Sequence, residues 1–313
     1  MAVASGIPTE QVIPVVDLSA VRAGKKGALE TAATEVRRAL LEVGFFSILG
    51  HGVSWGQVED IYDQTRRFHD LPLDVKAACT MSPASMGYSP LGAAQKGDRK
   101  PALNAAFFYA RPGSARNQLP PDEALPGFAA AVRAFYETMD VLGHTMLKLY
   151  GLAGGMPHDY FAQFFSPALA TLRLTHYPPL PASADQWGID PHSDAGFMTM
   201  LPSNPVAGLS IKPDGGDWFS VAQEPESFVV NAGDMLRRWS NDRFLSTTHR
   251  AINETSSDRY AIPYFFDPRP DSVIEVLPSM IDAAHPRLHE PLVYRDYLSA
   301  FMRDGYAAVR GES

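Results

Sequence analysis

With 313 residues, 45% apolar and 20% charged, the chain can build a sizeable core in one large domain or two ordinary ones. A net charge of −8 argues against a nucleic-acid partner and against docking on an anionic membrane surface. A single cysteine, Cys79, excludes an internal disulfide framework, and with no apolar run near the ~20 residues of a membrane span and no basic, apolar leader, a cytoplasmic protein is expected.

The first apolar run, Ile13 to Leu18, closes at Asp17 and Ser19 and reads as a strand. Over residues 28–43, Leu29, Ala32, Ala33, Val36, Leu40 and Val43 recur at helical spacing until Gly44 stops them. A buried strand over 45–49 then leads into Gly50-His51-Gly52. A second amphipathic helix carries Trp55, Val58, Ile61, Tyr62, Thr65 and Phe68 and ends before Leu71-Pro72. Residues 80–125 are loop-rich, with Pro and Gly interrupted by one apolar piece from Ala105 to Tyr109. A long helix after Pro126 sets Phe128, Val132, Phe135, Met139, Leu142, Met146 and Leu149 on one stripe, which reads as core.

From Thr171 the pattern changes to eight short strands, over 171–177, 192–201, 209–212, 218–222, 228–230, 235–239, 248–253 and 259–266. Pro, Gly and Asn-Asp turns separate them. A last amphipathic helix is expected over 291–309. The fold class that follows is mainly β with flanking α-helices, around a jelly-roll core. The chain divides at about residue 125, into an N-terminal mixed α/β region and a region of scaffold helix, core (about 170–270) and C-terminal helix, folding as one unit.

His192-Ser193-Asp194 is the most informative stretch. On a strand, side chains alternate, so an H-x-D pair puts imidazole and carboxylate on one face. His249, 55 residues after Asp194, can add a second imidazole. Two histidines and one carboxylate leave open positions on a non-haem Fe(II), unlike a closed four-ligand zinc site. Arg259 opens an apolar strand 10 residues after His249. A structural zinc site, or three unrelated polar residues, is the competing account. The remaining histidines (His51, His69, His144, His158, His176, His285 and His289) read as structural or surface residues.

With these motifs stand "IPVVDLS", "GFFSILGHGV", "LTHYPPLP", "PHSDAGFMTML", "NAGDMLRRWSNDRFLSTTHRA" and "RYAIPYFFDP", in that order. The chain resembles the isopenicillin N synthase-like family of Fe(II)/2-oxoglutarate-dependent oxygenases over most of its length. The resemblance implies a double-stranded β-helix with Fe(II) on His192, Asp194 and His249, and with 2-oxoglutarate and O2 as cosubstrates. It further implies that Arg259 and Tyr177 grip the distal carboxylate of 2-oxoglutarate. The family pattern R-x-S reads R-Y-A here, so Ala261 stands where a serine hydroxyl would add a hydrogen bond of roughly 1.5–3 kcal/mol.

Alternation orders the pocket. If Arg259 faces inward, Ala261, Pro263, Phe265 and Asp267 do too; if Tyr177 does, Thr175 and Arg173 follow. Arg173, Phe265 and Asp267 are therefore candidate substrate contacts, and Arg173 suits a carboxylate or another anion. By analogy with how the family covers its barrel mouth, Asn104, Phe107 and Tyr88 join them. The expected activity is oxidation of a small organic molecule (hydroxylation by default, desaturation or ring closure otherwise) with release of succinate and CO2. An Fe(II) oxidase of this fold that does without 2-oxoglutarate, and a non-catalytic jelly-roll binding protein, are the alternatives.

Overall fold

A computed structural model describes residues 9–82, 85–93, 100–179, 186–253 and 255–306. Pro83 of the loop-rich segment, the last two residues of LTHYPPLP, and positions 307–309 of the expected last helix lie outside them, as do the first eight residues. Among the described residues, no helix is long and apolar enough to cross a membrane.

The N-terminal region gives β1 (Glu10–Val12), β2 (Val15–Asp17), α1 (Ser19–Arg22), α2 (Ala28–Glu42), β3 (Phe45–Leu49), α3 (Trp55–His69), α4 (Leu73–Ala77), β4 (Tyr88–Ser89) and β5 (Ala105–Ala110). The scaffold helix is α5 (Phe128–Ala153). The core contains β6 (Leu169–Tyr177), β7 (Ile189–His192), β8 (Met198–Pro202), β9 (Leu209–Lys212), β10 (Phe219–Ala222), β11 (Phe228–Ala232), α6 (Asp234–Trp239), β12 (Thr248–Ala251), β13 (Arg259–Ala261) and β14 (Tyr264–Asp267). β15 (Val273–Ile274) and β16 (Leu292–Val293) form a small ribbon before α7 (Tyr294–Tyr306).

Two sheets face each other. The smaller runs β1-β10-β9-β12-β7 and the larger β2-β3-β11-β8-β14-β6-β5-β4, with β13 also on β6. Strands of the N-terminal region continue the large sheet: β3 pairs with β11 and β5 with β6. Its outer face is covered by α2, α3 and α5. There Val36, Leu40, Phe68, Phe128, Phe135 and Met139 pack against Leu172, Leu174, Tyr264 and Phe266 in one core. Gly143 on α5 lets the helix approach closely, since a Cβ there would meet the Phe266 ring at 2.7 Å.

Three expected strands take other forms. The run 192–201 is two strands, because residues 193–197 form a loop between β7 and β8. Residues 235–239 are helical, with Met235, Leu236 and Trp239 buried at spacings that suit one turn of helix as well as a strand. Gly233 and Asp234, one of the turns expected between strands, begin that helix. Pro263 divides the last expected strand into β13 and β14, yet the alternation carries across it: Ile262, Tyr264 and Phe266 enter the core, while Ala261, Phe265 and Asp267 face the other way.

Candidate active site

His192 and His249 are register partners across β7 and β12, which brings their rings to 4.3 Å between centroids. Asp194 lies just past the end of β7, in the loop and not on the strand. Its position comes from the start of α6: the Asp234 N–H donates to the Asp194 carbonyl at 2.7 Å, and the Met235 N–H to that of Gly196 at 3.0 Å. The Ser193 hydroxyl donates to Asp234 at 3.1 Å. Asp194 Oδ1 then stands 3.7 Å from Nε2 of both histidines. One ligand atom from each residue falls within 4.8 Å of the others, the spread of a single metal centre.

The second polar atoms of all three residues are occupied elsewhere. His192 Nδ1 lies 2.7 Å from the Asp190 carbonyl and His249 Nδ1 3.1 Å from that of Thr247. Each Nδ1 therefore carries the hydrogen, and each Nε2 presents its lone pair to the centre. Asp194 Oδ2 accepts from Thr199 Oγ1 at 2.5 Å and from Asn231 Nδ2 at 2.8 Å, leaving Oδ1 free. Thr199 and Asn231 are themselves register partners across β8 and β11. Burial would raise the Asp194 carboxyl, but the two imidazoles and these hydrogen bonds outweigh it and hold it below the ordinary carboxylate range. Burial, helped by the neighbouring His249, pulls His192 down to about 4, which keeps its imidazole neutral at physiological pH.

Arg259 is 1% exposed and faces Tyr177, its register partner on β6, with the guanidinium carbon 5.0 Å from the ring centre. Its Nε donates to the Val206 carbonyl at 3.2 Å, while Nη1 is buried without a hydrogen-bond partner. Gly208 permits this packing, because a Cβ there would stand 2.6 Å from Nε. A buried cation with an unused donor fits a carboxylate ligand, the chemistry of the distal end of 2-oxoglutarate. Two residues along β6, the Thr175 hydroxyl is also buried and unpartnered, and Thr175 faces Ala261 across the ladder. Tyr177, Ala251 and Ala261, with Ile189 and Leu201 beside them, form the apolar wall next to this pocket.

Arg173 lies on the same face of β6 as Thr175 and Tyr177. It donates to Asn104 Oδ1 at 2.8 Å, and Asn104 Nδ2 donates to the Gly188 carbonyl at 2.5 Å, just before β7. Phe265 pairs with Thr199, which ties it to the Asp194 neighbourhood. Three expected substrate contacts are placed otherwise. Phe107 is wholly buried against Phe68 and Phe128 on the helix side, and Tyr88 packs beside it against Phe68. The inward residue of β5 is Phe108, whose ring lies under Arg173 at 5.3 Å. Asp267 accepts from the Phe197 N–H at 2.6 Å and so braces the backbone after the H-x-D loop; burial raises its carboxyl to about 7. Thr199, Asn231 and Phe108 escaped the sequence reading: the first two lie within the stretches PHSDAGFMTML and NAGDMLRRWSNDRFLSTTHRA but are not ligand residues themselves, and the third depends on the phase of a strand flanked by loops.

Several of the other histidines have structural partners. His51 Nδ1 accepts from the Val53 N–H at 3.1 Å and its Nε2 meets the Glu226 carbonyl at 2.9 Å. His176 pairs with Asp258 at 2.6 Å, and His289 with Asp242 at 2.9 Å.

The 2OG-Fe(II) oxygenase superfamily profile matches residues 168–268, and a profile described as non-haem dioxygenase in morphine synthesis N-terminal matches 13–126. The chain is 32% identical over 282 residues to the 2-oxoglutarate-dependent dioxygenase citB of Monascus ruber, covering 82% of this chain and 84% of that protein. It is 30% identical over 307 residues to gibberellin 20 oxidase 2 of Oryza sativa, covering 95% and 77%. Among solved structures, a Neurospora crassa protein in complex with alpha-KG and thymine superposes with a TM-score of 0.86 at 25% identity, covering 98% of this chain and 99% of that one. JOX2 in complex with 2OG, Fe and JA superposes at 0.80 and 26% identity, covering 97% and 88%.

Proposed function

The chain belongs to the 2OG-Fe(II) oxygenase superfamily and is an Fe(II)- and 2-oxoglutarate-dependent dioxygenase, and within that family we propose the following assignment of its residues and reaction. His192, Asp194 and His249 hold the iron. Arg259, Tyr177 and Thr175 hold the far carboxylate of 2-oxoglutarate. The organic substrate lies against Arg173, Asn104 and Phe265, and its default fate is hydroxylation. The observation that carries the reading is the convergence of two Nε2 lone pairs and one carboxylate oxygen within 4.8 Å, with the opposite atoms of all three residues tied off.

When bound, iron and 2-oxoglutarate supply the oxidant: O2 and the oxo acid give succinate, CO2 and one oxygen atom for the substrate C–H bond. The protein's contribution is placement. Thr199 and Asn231 keep the Asp194 carboxylate turned so that one oxygen serves the metal. Arg259 neutralises the distal carboxylate in a site where an unpaired charge is costly. Thr175 supplies a hydroxyl on the strand next to Ala261, which answers the missing serine of the R-x-S pattern. Leu201, Ala251 and Ile189 keep water from that pocket.

Anaerobic addition of 2-oxoglutarate to the Fe(II) protein tests the assignment. A visible charge-transfer band in the wild type, lost in His192→Ala and Asp194→Ala, is expected, as is succinate under air. Those variants forming the band like wild type would remove the triad from the iron site.

A further inference from the structure

Arg173 is a cation facing the site with no anion of its own. Among the described residues no carboxylate pairs with it, its Nε is buried without a hydrogen-bond partner, and its single hydrogen bond goes to the neutral Asn104 side chain. The Phe108 ring closes one side of the guanidinium at 5.3 Å. Surface arginines satisfy themselves with water; this one is partly withdrawn from it beside a proposed metal centre.

Resting on the assignment of the iron and 2-oxoglutarate sites above, we propose that the primary substrate is a small carboxylic acid, bound as its anion by Arg173. Asn104 is the positioning residue for that contact. Its amide spans from Arg173 to the Gly188 carbonyl at the head of β7, the strand that ends in His192. The guanidinium is thereby held at a fixed offset from the metal motif. A planar guanidinium offers two parallel N–H donors to a carboxylate, whereas an amide or ester of the same acid brings no negative charge and fewer acceptors. Phe108 and Phe265 leave an apolar lining for the rest of the molecule, so the oxidised carbon belongs to the hydrocarbon part and not to the carbon bearing the acid. Arg259, withdrawn behind Tyr177, is reserved for the cosubstrate, so the two carboxylates are received by two separate arginines.

A panel of matched acids, primary amides and methyl esters tests this, with benzoate, phenylacetate, cinnamate and cyclopentaneacetate as the acids. Binding to the anaerobic Fe(II)–2-oxoglutarate protein is read from the perturbation of its charge-transfer band, and turnover from succinate above the substrate-free background. At least one acid is expected to bind and to stimulate succinate formation, with its amide and ester weaker by on the order of 100-fold. Arg173→Ala should abolish that discrimination and Arg173→Lys should keep part of it. The wild-type panel needs no variant to fold, so it decides independently. Amides or esters binding as well as the acids, no acid binding, or an Arg173→Ala protein that keeps the preference would each overturn the proposal. Absence of the charge-transfer band before any panel member is added would instead overturn the iron and cosubstrate assignment.

Discussion

Thr175 and Ala261 stand opposite each other across the ladder between β6 and β13, and the Thr175 hydroxyl is buried with no partner among the described residues. The R-x-S pattern would place a hydroxyl at position 261. Cross-strand partners have Cβ atoms ~5 Å apart, so a hydroxyl on either side reaches much the same space. Thr175→Val should therefore raise the Kd for 2-oxoglutarate about tenfold or more, and adding Ala261→Ser to that variant should restore most of the loss. Titration of the anaerobic charge-transfer band measures both. An unchanged Kd in Thr175→Val would leave the buried hydroxyl without this role.

Asp194 depends on Thr199 and Asn231 for its orientation, because both donate to Oδ2. Removing either donor frees the carboxylate to rotate and share both oxygens with solvent. Thr199→Val and Asn231→Ala should each weaken Fe(II) binding by about 10- to 100-fold, with the Kd for 2-oxoglutarate on the metal-saturated protein little changed. Competition against a chelating dye gives the first quantity and band titration the second. Wild-type metal affinity in both variants would show that the two ladders do not hold the ligand.

Much of this site could be read from the residues. The spacing from His192 to His249 and on to Arg259 is a pattern of identities, and alternation alone put Tyr177, Thr175 and Arg173 on one face. What the residues could not supply was geometry set by distant contacts. Asp194 leaves the strand because its carbonyl is drawn to the start of α6, and that helix itself looked like a strand over five residues. The choice of Phe108 over Phe107 rests on a one-residue phase in β5, fixed by its pairing with β6 (Phe108 with Arg173) and not by local sequence. Asp267 shared the inward face with Phe265, as alternation required, but the Phe197 N–H claimed its carboxylate.

Gly208 offers a test of Arg259 that leaves Arg259 in place. A methyl group at Gly208 would meet the Ile252 carbonyl oxygen at 2.3 Å and Arg259 Nε at 2.6 Å, pressing on the backbone after β12 as well as on the guanidinium beside Tyr177. Gly208→Ala should raise the KM for 2-oxoglutarate by about an order of magnitude or more, with a smaller loss of Fe(II) affinity, because β9 after Gly208 pairs with β12, the strand of His249. Equal losses of both affinities would point to a general collapse of the barrel mouth instead.

His69 makes the fold's stability depend on pH. It lies at the end of α3, and its Nε2–H donates to the Leu174 carbonyl at 3.1 Å. His176 at 5.3 Å between ring centres, Tyr88, Tyr260 and Lys76, whose Nζ donates to the His69 carbonyl at 2.5 Å, surround it. Burial, reinforced by the His176 and Lys76 charges and opposed by the Leu174 bond, pulls the imidazole down to about 3. An unfolded histidine takes up its proton near pH 6.5. Between these values the unfolded chain binds a proton that the folded one refuses, so this contribution is complete above about pH 6.5 and declines as pH falls towards 3. The slope is at most about 1.4 kcal/mol per pH unit. His69→Gln keeps an N–H for Leu174 and removes the titration. It should be less stable than wild type at pH 7.5, and the gap should narrow by roughly 1–2 kcal/mol by pH 5 in urea denaturation of the metal-free protein. Parallel stability curves for the two proteins across that range would assign the acid sensitivity to other groups.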